Sequence, residues 1–190
     1  FRGIQDDYMR GKKTDYFENS RRATCVQQQY AIENPLKFDG YSAKCWGITA
    51  SDGPGPAKRA IKGKERKFFD YIARGVPDGP DDGTIAPWAV VASLPFAPEI
   101  VIPTLGYFEK LKLRANNPYG FKATFNTTFT GRSDPSQAWV SPFLYGLNQG
   151  PIVLMIDNYR SGLLWNLMRQ CPYLFAGLRR AGFQGGWLKQ

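Results

Sequence analysis

Hydrophobic residues in LNQGPIVLMIDNYRSGLLWNLMRQCP (147–172) recur on nearly every side of a helical wheel, which predicts a deeply buried helix running from Pro151 to about Gln170. NSRRATCVQQQYAIENP (19–35) spaces Ala23, Val26 and Tyr30 at helical intervals behind a capping Asn19 or Ser20 and stops at Asn34-Pro35. APEIVIPTLGYFEKLKLR (97–114) opens on Pro98 and Glu99, carries Val101, Leu105, Phe108 and Leu111 on one face, and ends at NNP (116–118). Its Pro103 falls in the first turns, where the missing N–H matters least. DGTIAPWAVVASLPF (82–96) places Pro87 at a first helical position and halts at Leu94-Pro95. KERKFFDYIARG (64–75) predicts a short helix ending at Gly75, and PYLFAGLRRAGF (172–183) a last amphipathic helix closed by Gly182. YGFKATFNTTFTG (119–131) alternates enough for one short hairpin, while SDPSQAW (133–139) reads as loop. The pattern is one of helices joined by long glycine-rich loops with little strand.

A chain of 190 residues, 43% hydrophobic, can bury a core of its own. The net charge of +9 raises the possibility of a nucleic-acid partner. The basic residues instead form one local cluster, AKRAIKGKERKFF (57–69), followed at once by the acidic VPDGPDDG (76–83). This is the pattern of a solvated loop or helix face, and no nucleic-acid partner is expected. No uncharged apolar run reaches membrane-spanning length. The chain does not begin with methionine, and its first residues, FRGIQDDYMRGKK, lack the apolar centre of a signal peptide, as expected of a mature chain or a fragment.

Histidine is absent, which rules out Ser-His-Asp and Cys-His nucleophile systems and histidine-bearing zinc sites within these residues. Cys25, Cys45 and Cys171 are scattered and allow at most one bridge. Gly53-x-Gly55 lacks the third glycine of a dinucleotide loop, GKKT (11–14) lacks the first P-loop glycine, and DGPDDG (78–83) breaks the EF-hand pattern at Pro80. No metal and no cofactor are expected. Acid–base chemistry in this chain falls chiefly to carboxylates.

Three long loops, 36–56, 75–86 and 130–149, hold or adjoin similar residues: Trp46 with Asp52, Asp82 with Trp88, and Trp139 with Asn148 and Gln149. An indole beside acids and amides suits a neutral ligand covered in hydroxyls, the ring taking its C–H face and the polar groups its O–H groups. Asp82 and Asp52 are the catalytic candidates; Trp46, Trp88, Trp139, Asn148, Gln149, Asp157 and Arg160 are the substrate-binding candidates. Each has a structural alternative. The tryptophans can be core, the two loop aspartates caps or Asx turns, and Asp157 with Arg160, three apart on one helix, a buried ion pair. Gln149-Gly150-Pro151 opens a helix whose free N–H groups can face a cleft.

WGITASDGPGP (46–56), DDGTIAPWAVVASLPF, YGFKATFN and LNQGPIVLMIDNYRSGLLW, in this order and spacing, resemble the glucoamylase-like domain of bacterial endo-β-1,2-glucanases and of the glucanase-like portion of cyclic β-1,2-glucan synthases. The resemblance runs from Asn19 to Phe183. It implies an all-α fold, an (α/α)6 toroid of which residues 1–190 are the C-terminal half, with at most a short hairpin. It also implies hydrolysis or transfer of β-linked glucan, with β-1,2-glucan first among substrates, by a pair of carboxylates. The partners implied are a β-glucan oligo- or polysaccharide and the N-terminal half of the same domain, in a periplasmic or secreted setting. Three positions depart from the family pattern: Ala123 and Asn148 stand where acids are usual, and Asp157 where glutamate is common. These departures motivate an alternative, a non-catalytic glucan-binding relative. Charge alone motivates a third, a basic nucleic-acid binder.

Overall fold

The computed structural model describes residues 2–111, 113–114, 117–130 and 137–189; Asn116 of the NNP stop and residues 133–136 of the SDPSQAW loop lie outside them. Among the described residues the order of elements is β1 (Ile4–Gln5), α1 (Asp7–Gly11), α2 (Tyr16–Glu33), β2 (Ala57–Ile61), β3 (Lys64–Phe68), β4 (Thr84–Ile85), α3 (Pro87–Ala92), α4 (Pro98–Lys110), β5 (Phe125–Asn126), β6 (Trp139–Val140), α5 (Gly146–Arg160), α6 (Leu163–Gln170), α7 (Pro172–Arg180) and β7 (Gln184–Gly185), with a closing 3-10 turn at Gly186–Lys189.

Helix α2 begins earlier than its apolar spacing indicates. Asp15 caps it, accepting the Glu18 N–H at 2.7 Å, and its other oxygen accepts the Gly3 N–H at 2.7 Å, so one carboxylate starts the helix and pins the N-terminal segment. The helix stops at Asn34, which takes the left-handed conformation and whose amide both donates to Phe38 O and accepts from Phe38 N at 2.8 Å. Helices α3 and α4 start at Pro87 and Pro98 as their sequences predict. They carry Val90, Val101 and Phe108 into a core completed by Trp46, Ile48, Ile85 and Phe125, with Phe108 edge-on to Phe125 at 5.5 Å.

Several expectations are corrected. Residues 64–75 hold no helix: Lys64–Phe68 pairs with Ala57–Ile61 across a two-residue turn at Lys62-Gly63, both with positive φ. Strand alternation buries Ile61 and Phe68 on the inner face and lets Arg59 and Arg66 lie over the rings of Phe129 and Phe38. The basic cluster is therefore a β-ribbon. Residues 119–130, the described part of the expected 119–131 hairpin, form no local hairpin either, because Phe125–Asn126 is the middle strand of a three-stranded sheet between Thr84–Ile85 and Trp139–Val140. With the β1–β7 pair, three small sheets accompany the helices among the described residues, where at most one hairpin was expected.

The expected 151–170 helix is two helices. Gly162, at φ 68°, breaks it, and Asn158 Oδ1 and Ser161 Oγ accept the N–H groups of Trp165 and Leu163 at the restart. Nor is it buried all round. Helix α5 packs mainly on α3, and Leu147, Val153, Leu154 and Tyr159, with Leu163, Leu167 and Met168 of α6, remain exposed.

The loops are held by two adjacent carboxylates in opposite electrostatic situations. Asp82 is 1% exposed and receives a forked pair of hydrogen bonds from Arg74, Nε to Oδ1 at 2.9 Å and Nη2 to Oδ2 at 2.8 Å. Burial alone would raise its pKa, but Arg74 and the N–H groups of Phe69 and Thr84 outweigh burial and hold it below the ordinary 3.8. Asp81 forms no ion pair among the described residues. Burial raises its pKa against the bonds from Gly83 N and the hydroxyls of Tyr41 at 2.7 Å and Tyr30 at 3.1 Å. The signs of linkage differ accordingly. Asp82 stabilises the fold above pH 3.8 and loses that contribution as pH falls through its lowered value; the Asp81 contribution is present below pH 3.8 and is lost as pH rises through its raised value.

Urea unfolding at neutral pH should therefore separate the two. Asp82→Asn strands the buried Arg74 and is expected to cost about 3–5 kcal/mol. Asp81→Asn keeps an acceptor for Tyr41 and is expected to cost no more than about 1.5 kcal/mol.

Candidate functional site

The segment WGITASDGPGP is shaped by what presses against it. Trp46 is 1% exposed, and its Nε1 donates to Thr104 Oγ1 of α4 at 2.9 Å. The residue after it, Gly47, has φ 120°, and a Cβ there would come within 2.5 Å of Val90 Cγ2. Farther on, a Cβ at Gly53 would collide with Arg74 Nη2, and one at Gly55 with Phe68 O. The glycines therefore let the loop backbone lie against helix α3, Arg74 and the end of the β-ribbon. Arg74 Nη1 donates to Ser51 O at 2.5 Å, and Ser51 and Ile72 exchange both backbone bonds at 3.1 and 3.2 Å. These contacts set the position of the next residue, Asp52.

Asp52 is 4% exposed, and hydroxyls brought by other elements hold its carboxylate at both oxygens. Thr124 Oγ1, just before β5, lies 3.2 Å from Oδ1, and Ser141 Oγ, just after β6, donates to Oδ2 at 2.5 Å. Each oxygen keeps a further lone pair for a ligand. Beside it opens a cavity of about 310 Å³, lined chiefly by Ser51, Asp52, Tyr71, Trp88, Tyr145 and Asn148. Trp88 Nε1 is buried without a protein partner, a donor that a ligand oxygen can satisfy. The Tyr145 hydroxyl is pushed up from its ordinary pKa first by desolvation and then by the negative charge of Asp52 and Asp70, so it remains a donor at neutral pH. The cavity thus offers two carboxylate oxygens, an amide, two phenols, an indole N–H and aromatic surface. That set can orient a polyhydroxylated ligand and place a carboxylate against it.

Of the residues singled out from sequence, the structure brings together Asp52, Trp88 and Asn148. It does not bring Asp82, whose carboxylate is spent on Arg74, or Trp46, which is core. Trp139 sits in β6 opposite Asn126, edge-on to Phe129 at 6.4 Å, and Gln149 Nε2 reaches Phe121 O at 3.5 Å; neither lines the cavity. Asp157 and Arg160 do not form the expected buried pair. Asp157 accepts from Ser161 Oγ at 3.3 Å near the helix break, and Arg160 is exposed. Tyr71, Tyr145, Thr124 and Ser141 were not anticipated. Tyr71 was hidden inside the expected 64–75 helix, and Tyr145, directly ahead of the apolar run of α5, had a usable signal as a loop aromatic at a helix start. Among the described residues no cluster of metal-ligating side chains is present.

Known proteins give the cavity a context. The Glycoamylase family model, described as "Putative glucoamylase", matches residues 1–172. An exo-β-1,2-glucooligosaccharide sophorohydrolase (non-reducing end) from Parabacteroides distasonis is 34% identical over 179 residues, covering 94% of this chain and 22% of the relative. A crystal structure of a protein of the family's description, from Bacteroides uniformis, superimposes with a TM-score of 0.79 at 38% identity, over 98% of this chain and 39% of that one. An endo-β-1,2-glucanase from Chitinophaga pinensis, solved as a sophorotriose and glucose complex, gives a TM-score of 0.72 at 30% identity, over 98% and 38% of the two chains. The chain thus spans about a fifth of the length of the curated relative and about two fifths of these solved ones. A match over most of its residues shows that the chain belongs to the Glycoamylase family.

Proposed function

We propose that this chain is part of a glycoside hydrolase acting on β-linked glucan, with β-1,2-glucan as the first substrate to test, and that the sugar enters the cavity beside Asp52. The observation that carries the proposal is the convergence of Asp52, Trp88, Asn148, Tyr71 and Tyr145, from four separate segments, on one cavity. Relatives named as acting on β-1,2-linked glucose chains support the substrate class.

In this reading Trp88 and the tyrosines take the sugar faces and hydroxyls, and Asp52 is the cavity's carboxylate. A paired-carboxylate mechanism needs one carboxyl to protonate the leaving oxygen and a second to activate water or attack the anomeric carbon. Asp52, held at both oxygens by hydroxyl donors, is suited to the second task. The proton donor then belongs to the stretch of the longer relatives that lies outside the match. The same stretch would complete an (α/α)6 ring and cover the apolar faces left open on α5 and α6, where Leu147 is 80% exposed. A periplasmic or secreted setting goes with this substrate. Asp82 acts at a distance, through Arg74 and the backbone of Ser51.

Asn148 favours a second reading. It lines the cavity next to Asp52 as a neutral amide, so Asp52 is the sole carboxylate among the described lining residues, as suits a glucan-binding relative that does not cleave. Incubating the complete protein with β-1,2-glucan and counting new reducing ends decides between the two. The hydrolase reading predicts steady release, reduced by roughly 100-fold or more in Asp52→Asn; saturable glucan binding with no new ends establishes the second reading.

Trp88→Phe keeps an aromatic face but deletes the unpartnered N–H together with the pyrrole half of the indole. Affinity for a β-1,2-gluco-oligosaccharide, measured by calorimetry, is expected to fall by roughly tenfold with the melting temperature unchanged. An unchanged affinity would remove Trp88 from the site.

A further inference from the structure

A second cavity, of about 150 Å³, lies under the β2–β3 ribbon, with Lys37, Asp39, Lys62, Lys64, Arg66 and Thr128 among its walls. It shares no lining residue with the cavity beside Asp52. At roughly 30 Å³ per water it has room for about five waters, enough for one tetrahedral oxyanion.

Two atoms of its lining residues are buried without a protein partner: Asp39 Oδ2 and Arg66 Nε. One is an acceptor and the other a donor. The remaining capacity of both residues is largely committed. Asp39 Oδ1 takes Lys62 Nζ at 2.7 Å, while Arg66 Nη2 donates to Leu36 O and Lys37 O at 3.1 and 2.8 Å with its guanidinium over the Phe38 ring at 4.6 Å. An unpaired buried donor and an unpaired buried acceptor each cost free energy until something satisfies them.

The ribbon is also short of negative charge. Its register sets Lys58 opposite Lys67 and Arg59 opposite Arg66, like charges at the spacing where they repel. With Lys37, Lys62 and Lys64 these make seven cations against Asp39, Glu65 and Asp81, the last lining a neighbouring cavity with Lys64, Arg66 and Lys67. The ion pairs Lys62–Asp39 and Lys58–Glu65, the latter at 4.0 Å, neutralise two of the seven.

We propose that this cavity binds a hydrogen-phosphate group, as inorganic phosphate or as a phosphate monoester. The anionic oxygens accept from Arg66 Nε and the flanking lysines, and the remaining P–OH hydrogen is donated to Asp39 Oδ2. Phosphate monoesters lose their last proton near pH 6, and a neighbouring carboxylate favours the protonated form, so the required species is available near neutrality. Sulfate and phosphodiesters carry no such hydrogen and would turn a lone pair against Asp39 Oδ2. A lone bridging water would satisfy the two atoms while leaving the cations of the cavity wall, Lys37, Lys64 and Arg66, with no anion to neutralise them.

The test is a titration of the full chain in low-salt buffer at about pH 6.5, followed by calorimetry and amide chemical shifts. Inorganic phosphate is expected to bind saturably at one site, and sulfate roughly tenfold or more weakly, because it leaves the Asp39 oxygen unpaired. Lys37→Ala combined with Lys64→Ala, both exposed positions, should weaken phosphate by roughly tenfold with an unchanged far-UV spectrum. Asp39→Asn should raise sulfate affinity until the two anions bind alike. Glucose 6-phosphate and vesicles containing phosphatidic acid distinguish a soluble monoester from a lipid headgroup, with phosphatidylglycerol, a diester, as the control. Equal binding of phosphate and sulfate by the wild type, equal binding of the diester vesicles, or no saturable binding at all would overturn the proposal, the last leaving a bridging water as the occupant.

Discussion

The buried Arg74–Asp82 pair is the constraint on which the loop architecture depends. Both side chains are sealed from solvent, and the guanidinium spends its donors on three segments at once: the Asp82 carboxylate, the carbonyl of Ser51, and the carbonyls of Phe69 and Asp70 at the end of the ribbon. The backbone of Asp82 is used as well, its carbonyl accepting from Asn126 in the middle strand of the three-stranded sheet. An ion pair of this kind contributes little net stability relative to an apolar replacement, but removing one partner leaves an uncompensated charge. Its value here is positional. It holds irregular backbone, which lacks the repeating bonds of a helix or sheet, in a single arrangement.

That arrangement turns loops into a cleft. Ser51 is held from one side by Arg74 and Ile72, so Asp52 projects where Thr124 and Ser141 can meet its carboxylate. Thr124 precedes β5 and Ser141 follows β6, and these strands form one sheet with Thr84–Ile85, which begins two residues beyond Asp82. The cleft and its support therefore share one sheet, and the chemistry that the proposed sugar would meet is the outer surface of a hydrogen-bonded interior. Membership of the Glycoamylase family and likeness to β-1,2-glucan-acting structures agree with such a surface.

Much of this was legible in the residues, and the failures share a cause. Proline and capping signals located the starts of α3 and α4 and the end of α2, because those are local effects. Loop composition pointed to Asp52, Trp88 and Asn148. Pairing between distant segments left no such trace: KERKF looked helical until Lys62-Gly63 folded it back on AKRAI, and Phe125–Asn126 gained its partners from residues 84–85 and 139–140. Asp82 and Trp46 looked like site residues because a buried ion pair and a buried indole have the same composition as a ligand cleft; the partners that settle their roles, Arg74 and Thr104, are 8 and 58 residues away in sequence. The apolar run of 151–170 was read as all-round burial, whereas α5 packs mainly against α3 and α6 leaves its own apolar residues open.

The central claim is that Asp52, set by Arg74 and its hydroxyl partners, forms the floor of a sugar site. A crystal structure of the complete protein with a β-1,2-linked glucose disaccharide tests it most directly. The account predicts a sugar ring in the cavity between Trp88 and Tyr71, with a hydroxyl or the attacking water within hydrogen-bonding distance of an Asp52 oxygen. A disaccharide seated elsewhere, with the Asp52 carboxylate bonded only to Thr124 and Ser141, would contradict it.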